Sequence, residues 1–307
     1  MKINRYLVSS MRFHYLCILL WLFIPVCCRG NTSKVKIVTY MPQADTYSQQ
    51  GAAVFGNYLF QFSAIGVCDI YDLQERNHVG QMKYESSQLK HCDTVCFGSQ
   101  KVETKDEFPV IYVSGALQGM DAENGIAWVY RILHNGLKWS LQLVQELSLP
   151  TIDQIWSCPD VALSNVDGCM LVMGWNSDIT DKAENGGGAY LKFTKFHTPR
   201  ISSGENIDGF SKVHLSMDDA ITSFVVNNAH TIQQGICLKD NYVFVPYGEI
   251  SEGYQGIDVI SLEQCRVEKN INLMHTSVKE PEAVFFYNNE LYIADQATSI
   301  KRVISVH

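Results

Sequence analysis

The chain has 307 residues, with 24 Lys and Arg against 32 Asp and Glu, a formal net charge of −8, and 46% apolar residues. That apolar content can fill a sizeable core and excludes a low-complexity or disordered chain. The acidic balance disfavours nucleic acid and anionic membrane surfaces, because phosphate recognition needs clustered Lys and Arg.

At the N-terminus, Lys2, Arg5 and Arg12 flank or precede the apolar run Tyr15–Ile24, which Pro25 ends. The run is shorter than the ~20 residues a membrane-spanning helix needs, and matches the apolar centre of a secretory signal. Residues 1–30 are therefore read as a signal peptide, and 31–307 as one exported domain, periplasmic, cell-surface or extracellular. A start at Met11 would give a more compact signal. Cleavage near Gly30 leaves a soluble chain. A lipid on Cys27 or Cys28 would instead make a membrane-tethered lipoprotein, although Pro25 and Val26 replace the small residues that a bacterial lipobox favours. Asn31-Thr32-Ser33 matches a glycosylation acceptor, relevant in a eukaryotic host. Removing Lys2, Arg5, Arg12 and Arg29 from the 24 basic residues leaves 20 against 32 acidic, a balance of −12.

Beyond residue 30 one pattern recurs five times: a small or polar pair, a short apolar strand, a turn, and a second apolar strand. It begins at Gln50-Gly51, Asp93-Thr94, Pro159-Asp160, Gln234-Gly235 and Pro281-Glu282. Strand units repeating every 50–70 residues point to a β-propeller, with each repeat one four-stranded meander. Blade one reads as strands over Gly51–Phe55, Tyr58–Phe62, Val67–Asp72 and His78–Tyr84. Blade two runs from about Asp93 to Val144, with Asn135-Gly136 as a tight hairpin between its outer strands. Blade three starts at Asp160, with Ala189–Phe196 as its third strand after Asn185-Gly186-Gly187-Gly188. Blade four starts at Gly235 and has Gly256–Ser261 as its third strand. Blade five offers Ala283–Tyr287, Glu290–Ala294 and Ser299–Val306, then stops one strand short.

Lys34–Tyr40, an alternating segment ahead of blade one, supplies the missing strand and closes the ring, which limits exposed sheet edges. Ile37 should then lie beside Ile304. The fold expected is all-β, a five-bladed propeller. Six blades is the alternative, because Gly209–Leu215 and Ser223–Val226 could be extra strands in the longest interval between repeats.

Seven cysteines follow the signal: Cys68, Cys92, Cys96, Cys158, Cys169, Cys237 and Cys265. The count is odd and the spacing gives no disulfide framework. Cys96, Cys169 and Cys237 sit within apolar strands, where a thiol packs as a small hydrophobe. Cys92 and Cys96 lack a second ligand pair at zinc spacing.

The signal segment, the stretch His91-Cys92-Asp93-Thr94-Val95-Cys96-Phe97-Gly98 leading to Phe108–Ser114, and the strand openings Gln233-Gln234-Gly235 and Glu280-Pro281-Glu282-Ala283 resemble secreted β-propeller proteins common in gut Bacteroidetes. The resemblance spans nearly the whole mature chain and rests on structural motifs. It implies surface or periplasmic placement and no established reaction, so no catalytic residue is carried over from it.

Residues just before the inner strands of a propeller converge at the mouth of its channel. The candidate ligand-binding set is Gln50, His91, Asp93, Trp156, Asp160, Trp175, His230, Gln234 and Glu282. The two tryptophans are included as stacking faces near strand ends, whereas Trp128 and Trp139 belong to outer strands and to packing. The structural alternative for each polar member is a hydrogen bond to a neighbouring blade.

The function read from this set is an exported binding module for a glycan, peptide or envelope protein, with no catalytic residue and no cofactor assigned. The rival is a glycoside hydrolase or a metal-dependent hydrolase using Asp93, Asp160 and Glu282, which could also hold a calcium ion as hard oxygen ligands. No Gly-x-Ser-x-Gly elbow is present. A third class, an envelope scaffold, would show an apolar patch on the rim.

Overall fold

The computed structural model describes residues 35–44, 49–64, 66–83, 89–117, 125–136, 138–150, 159–176, 189–230, 232–249, 251, 253–296 and 299–305. The expected signal peptide, Trp156, Cys158 and the glycine turn at 185–188 lie outside the described residues. Five sheets are arranged in a ring, a five-bladed β-propeller.

Blade one is β2 (Gln49–Phe55), β3 (Tyr58–Ser63), β4 (Val67–Asp72) and β5 (Asn77–Lys83). Blade two is β6 (Leu89–Phe97), β7 (Ile111–Leu117), β8 (Gly125–Asn135) and β9 (Lys138–Leu149). Blade three is β10 (Asp160–Leu163), β11 (Cys169–Asn176), β12 (Ala189–His197) and β15 (Ala220–Ala229). Blade four is β16 (Cys237–Lys239), β17 (Tyr242–Glu249), β18 (Tyr254–Ser261) and β19 (Arg266–Asn272). Blade five is β20 (Pro281–Tyr287), β21 (Glu290–Asp295) and β22 (Ser299–Ser305), completed by β1 (Val35–Pro42). β1 runs antiparallel to β22, with Lys36 opposite Ile304 and Ile37 opposite Val303. The expected closure by the N-terminal strand is therefore present.

Two short strands, β13 (Glu205–Ile207) and β14 (Phe210–His214), form a hairpin that joins blade two, with β14 parallel to β9. The chain thus leaves blade three after its third strand and crosses to blade two. It returns through a single 3-10 turn at Met217–Asp219 to lay down β15. Gln100 and Gln145 hold this excursion. The Gln145 amide donates to the Arg200 carbonyl at 2.9 Å, the Gln100 amide donates to the Pro199 carbonyl at 2.8 Å, and the Gln100 side-chain oxygen accepts from the Ile201 N–H at 3.1 Å. This excursion explains the long interval between repeats. Gly209–Leu215 falls largely in β14 and Ser223–Val226 in β15, so neither starts a sixth blade.

Each blade packs on both of its neighbours, and side-chain alternation sends successive residues to opposite sides. In β8, Ile126, Trp128, Tyr130 and Ile132 pack toward blade one, while Ala127 and Val129 pack toward blade three. In β11, Met170 and Val172 face blade two, while Leu171 and Met173 face blade four. The buried apolar residues accordingly fall into five clusters, one at each seam between blades. Trp128 and Trp139 are both seam residues, as their outer-strand positions suggested. Cys92 belongs to the seam between blades one and two, and Cys96 to the seam between blades two and three, so the two thiols do not face one site. Cys68, Cys96, Cys169, Cys237 and Cys265 are free thiols. Burial pushes the Cys68 and Cys96 thiols well up and Cys237 to about 12, so these three behave as apolar filling.

A glycine fixes the outer contact of the first seam. A Cβ on Gly80 of β5 would come within 2.5 Å of Trp139 Cδ1 and 2.6 Å of its Nε1. Trp139 is 7% exposed and stacks on His134 with ring centroids 3.6 Å apart, so it has little room to retreat. Gly80→Ala is expected to destabilise the fold by about 1–3 kcal/mol through overpacking. Urea unfolding followed by tryptophan fluorescence checks this, and an unchanged midpoint would show that the seam is looser than its geometry.

Candidate functional site

The inner strands β2, β6, β10, β16 and β20 surround the axis, and two glycines let them close in. A Cβ on Gly51 would sit 2.9 Å from the Asp93 carbonyl oxygen and 2.6 Å from Val95 Cγ2. One on Gly235, whose φ is +108°, would sit 2.9 Å from Thr94 Oγ1. The resulting neck is lined by Gly51, Asp93, Thr94, Gln234, Gly235 and Ala283 among others, and encloses only about 10 Å³. That is room for roughly one water molecule.

At one end of the neck, carboxylates from three blades gather. Asp93 and Thr94 come from β6, Asp160 opens β10, Glu280 and Glu282 bracket the start of β20, and Asp295 ends β21. Thr94 links three blades. Its hydroxyl donates to Asp160 Oδ1 and accepts from the Ile236 backbone N–H at 3.3 Å. Asp160 is 4% exposed. Burial, and then Asp93 beside it, pushes its carboxyl well above the usual range against the pull of the Thr94 hydroxyl.

Glu282 is 1% exposed. Its Oε1 accepts from the Gln296 amide at 2.6 Å, while its Oε2 is buried without a hydrogen-bond partner. Burial, followed by Glu280 and then by Asp93 and Asp295, raises it to about 8. Gln234 donates to Glu280 Oε1 at 3.0 Å across the seam between blades four and five. Behind this group, Lys301 of β22 (2% exposed) donates to Asp295 Oδ2 at 2.5 Å. The Lys279 backbone N–H donates to the same oxygen at 2.9 Å.

Of the residues selected from sequence, Asp93, Asp160, Gln234 and Glu282 meet at this end of the axis. Gln50 is buried in β2 beside Gly51. His91 and Trp175 lie in β6 and β11 respectively. His230 serves blade four. Its Nδ1 lies 3.0 Å from both carboxylate oxygens of Asp258, and its ring stacks on Tyr247 with centroids 3.9 Å apart. Asp258 Oδ1 also accepts from the Asn270 amide at 2.8 Å.

An equivalent knot holds blade one. Asp69 on its third strand meets His78 at 2.9 Å and accepts from Gln81 at 3.0 Å and Gln49 at 3.3 Å. Asp69, Asp258, Asp295, Lys301 and Thr94 were not selected from sequence. The signal available for three of them was a lone carboxylate inside an apolar strand, as in Cys68-Asp69-Ile70, Ile257-Asp258-Val259 and Ala294-Asp295. A charge at such a position needs a buried partner. Thr94 carried no signal.

The opposite end of the neck is a bowl of about 230 Å³ lined by Val54, Phe97, Leu163, Leu238, Lys239, Phe285 and neighbouring residues. Among the described residues, no group of three or more His, Cys, Asp or Glu side chains has an arrangement that could hold a metal ion. No helix among them is long and apolar enough to cross a membrane.

No family profile matches the sequence. No curated protein matches it. Solved structures match in fold. Glutaminyl cyclase of Myxococcus xanthus is 12% identical, with 89% of this chain and 97% of that chain covered and a TM-score of 0.51. A Thermus thermophilus protein described as a putative oxidoreductase (glucose dehydrogenase) is 8% identical, with 88% and 100% covered and a TM-score of 0.47. The computationally designed Ika8 protein is 8% identical, with 87% and 99% covered and a TM-score of 0.38. At 12% identity the likeness to the glutaminyl cyclase is one of fold alone.

Proposed function

We propose that this chain is an exported binding propeller that takes a cationic group of a peptide or protein at the acidic end of its channel. The observation that carries this reading is Glu282. Its Oε2 is buried without a hydrogen-bond partner, amid Asp93, Glu280 and Asp295, so the carboxyl holds a proton at neutral pH. An arriving ammonium or guanidinium would replace that proton with a charge-assisted hydrogen bond.

Hydrolysis is less well supported. Asp160 Oδ1 and Glu282 Oε1 are already engaged by Thr94 and Gln296, and the neck between the inner strands is too narrow for a sugar ring. Glycoside cleavage needs two carboxyls that reach opposite sides of one glycosidic bond. The secretory signal read in residues 1–30 supports export, and a lipid on Cys27 or Cys28 would tether the product.

The test is calorimetry at pH 7 with short lysine- and arginine-bearing peptides and their acetylated or citrulline counterparts, in buffers of different ionisation enthalpy. Binding of the cationic peptides is expected to release close to one proton, roughly the fraction that a group titrating near 8 still holds. Glu282→Gln should abolish that release and weaken binding. Equal binding of charged and neutral peptides, or binding without proton release, would overturn the reading.

A further inference from the structure

The seam between blades three and four differs from the other seams at its end away from the acids. The two inner strands there are the shortest in the ring, four residues in β10 and three in β16. The apolar residues that should finish the seam, Phe224, Leu238 and Leu262, remain only partly buried against its core cluster. Beside them opens a cleft of about 350 Å³, floored by Leu171 and walled by Cys169 and Cys265. Small-molecule sites begin at about 300 Å³, so this volume accepts an aromatic or branched hydrocarbon body.

Its walls are fixed in advance. Leu262 N–H donates to the Asn241 carbonyl at 2.9 Å, tying together the two blade-four loops that form one side. On the other side Lys195 Nζ lies 2.5 Å from Asp167 Oδ2, and Ser164 Oγ accepts from the Val166 N–H at 3.3 Å. The rim is acidic. Asp167, Asp240 and Glu263 line the cleft, against one lining cation, Lys195, which Asp167 already engages. Asp240 and Glu263 are exposed. Their charge therefore faces whatever end of a ligand projects from the apolar floor.

We infer that this cleft between blades three and four is a binding site for a small amphipathic amine, its apolar body on Leu171, Phe224, Leu238 and Leu262 and its cationic end toward Asp240 and Glu263. The site is separate from the acidic end of the channel, with which it shares no residue. An anionic ligand of the same shape would meet like charge at the rim. A neutral one would gain only the apolar contacts.

The probe is 2-phenylethylamine, compared with 3-phenylpropionate and 2-phenylethanol, using the full chain in calorimetry and in alkylation of Cys265. The amine is expected to bind best and to slow alkylation of Cys265 at least severalfold at saturation. Thr222→Trp, on the exposed strand β15 at the cleft wall, should fill the space and abolish binding while the melting temperature stays within a few degrees of the parent. Asp240→Lys with Glu263→Lys should lower amine affinity about three- to tenfold, the scale of two exposed charge contacts, and improve binding of the carboxylate. Glu282→Gln should leave the probe affinities and the rate of Cys265 alkylation unchanged, so failure of the channel reading does not imitate failure of this one. The inference is overturned if none of the probes binds, if the carboxylate binds as well as the amine, or if folded Thr222→Trp binds like the parent.

Discussion

Lys301→Met is expected to destabilise the propeller by about 3–5 kcal/mol, the cost of leaving one member of a buried ion pair without its partner. Lys301 and Asp295 are 2% and 0% exposed, and the Nζ–Oδ2 distance is 2.5 Å. Met can follow the lysine stem through the seam, so packing survives while the charge of Asp295 is left with the Lys279 N–H alone. The location magnifies the effect. Lys301 pairs with Ile293 of β21 on one side and with Thr39 of β1 on the other, so it stands where the last strand of the chain meets the first described one. Loosening that strand should raise hydrogen exchange of the β1 amides before those of blades two and three. The double variant Asp295→Asn with Lys301→Met should recover part of the loss, because no uncompensated buried charge remains. Denaturant unfolding of the single and double variants decides the point. A loss under about 1 kcal/mol for Lys301→Met would mean that the pair is hydrated and contributes as a surface pair does.

Replacing Glu282 by Gln should change how stability depends on pH. An unfolded glutamic acid releases its proton near 4.5, whereas the folded chain keeps this one to about 8. Between those values the folded state binds more protons than the unfolded state, so this group makes stability fall as pH rises, with the loss complete above 8. At 1.36 kcal/mol per unit the full loss is on the order of 5 kcal/mol, an upper figure because the buried site can relax around the charge. Glu282→Gln keeps the shape and the hydrogen-bonding capacity without titrating. Below pH 5 the variant should match the parent, and above pH 8 it should be the more stable of the two. Unfolding midpoints measured from pH 5 to 9 are expected to diverge steadily. Parallel curves would show that Glu282 is ionised in the fold and that the acidic end is already solvated. Asp160, raised by burial and by Asp93, should add a contribution of the same sign.

These two residues illustrate unequal legibility. Glu282 was selected from sequence because it opens an inner strand, and the opening of every inner strand points to the axis. Lys301 was not selected, since Ser299–Val306 reads as an ordinary third strand with two basic residues. Nothing in Ser-Ile-Lys-Arg indicates that Lys301 is buried while Arg302 is half-buried and paired with Glu290. His230 shows the converse. Its place before an inner strand made it a ligand candidate, yet Asp258, 28 residues later, holds it against Tyr247. Of the extra hairpin Glu205–His214, only the part within Gly209–Leu215 was legible as strand, and not as an addition to blade two, because a parallel pairing with β9 leaves no mark in local sequence.

What the chain alone determined is the ring. Five recurrences of one strand–turn–strand pattern, with a missing strand at one end and a spare one at the other, admit few other architectures, since alternation within each strand is a local property. Only the tertiary structure decided which polar groups face the axis, which lock blades internally, and where a seam fails to fill. Those outcomes depend on distances between residues far apart in sequence. They also depend on burial, which sets whether a carboxyl such as Glu282 keeps its proton, and no spacing along the chain encodes it.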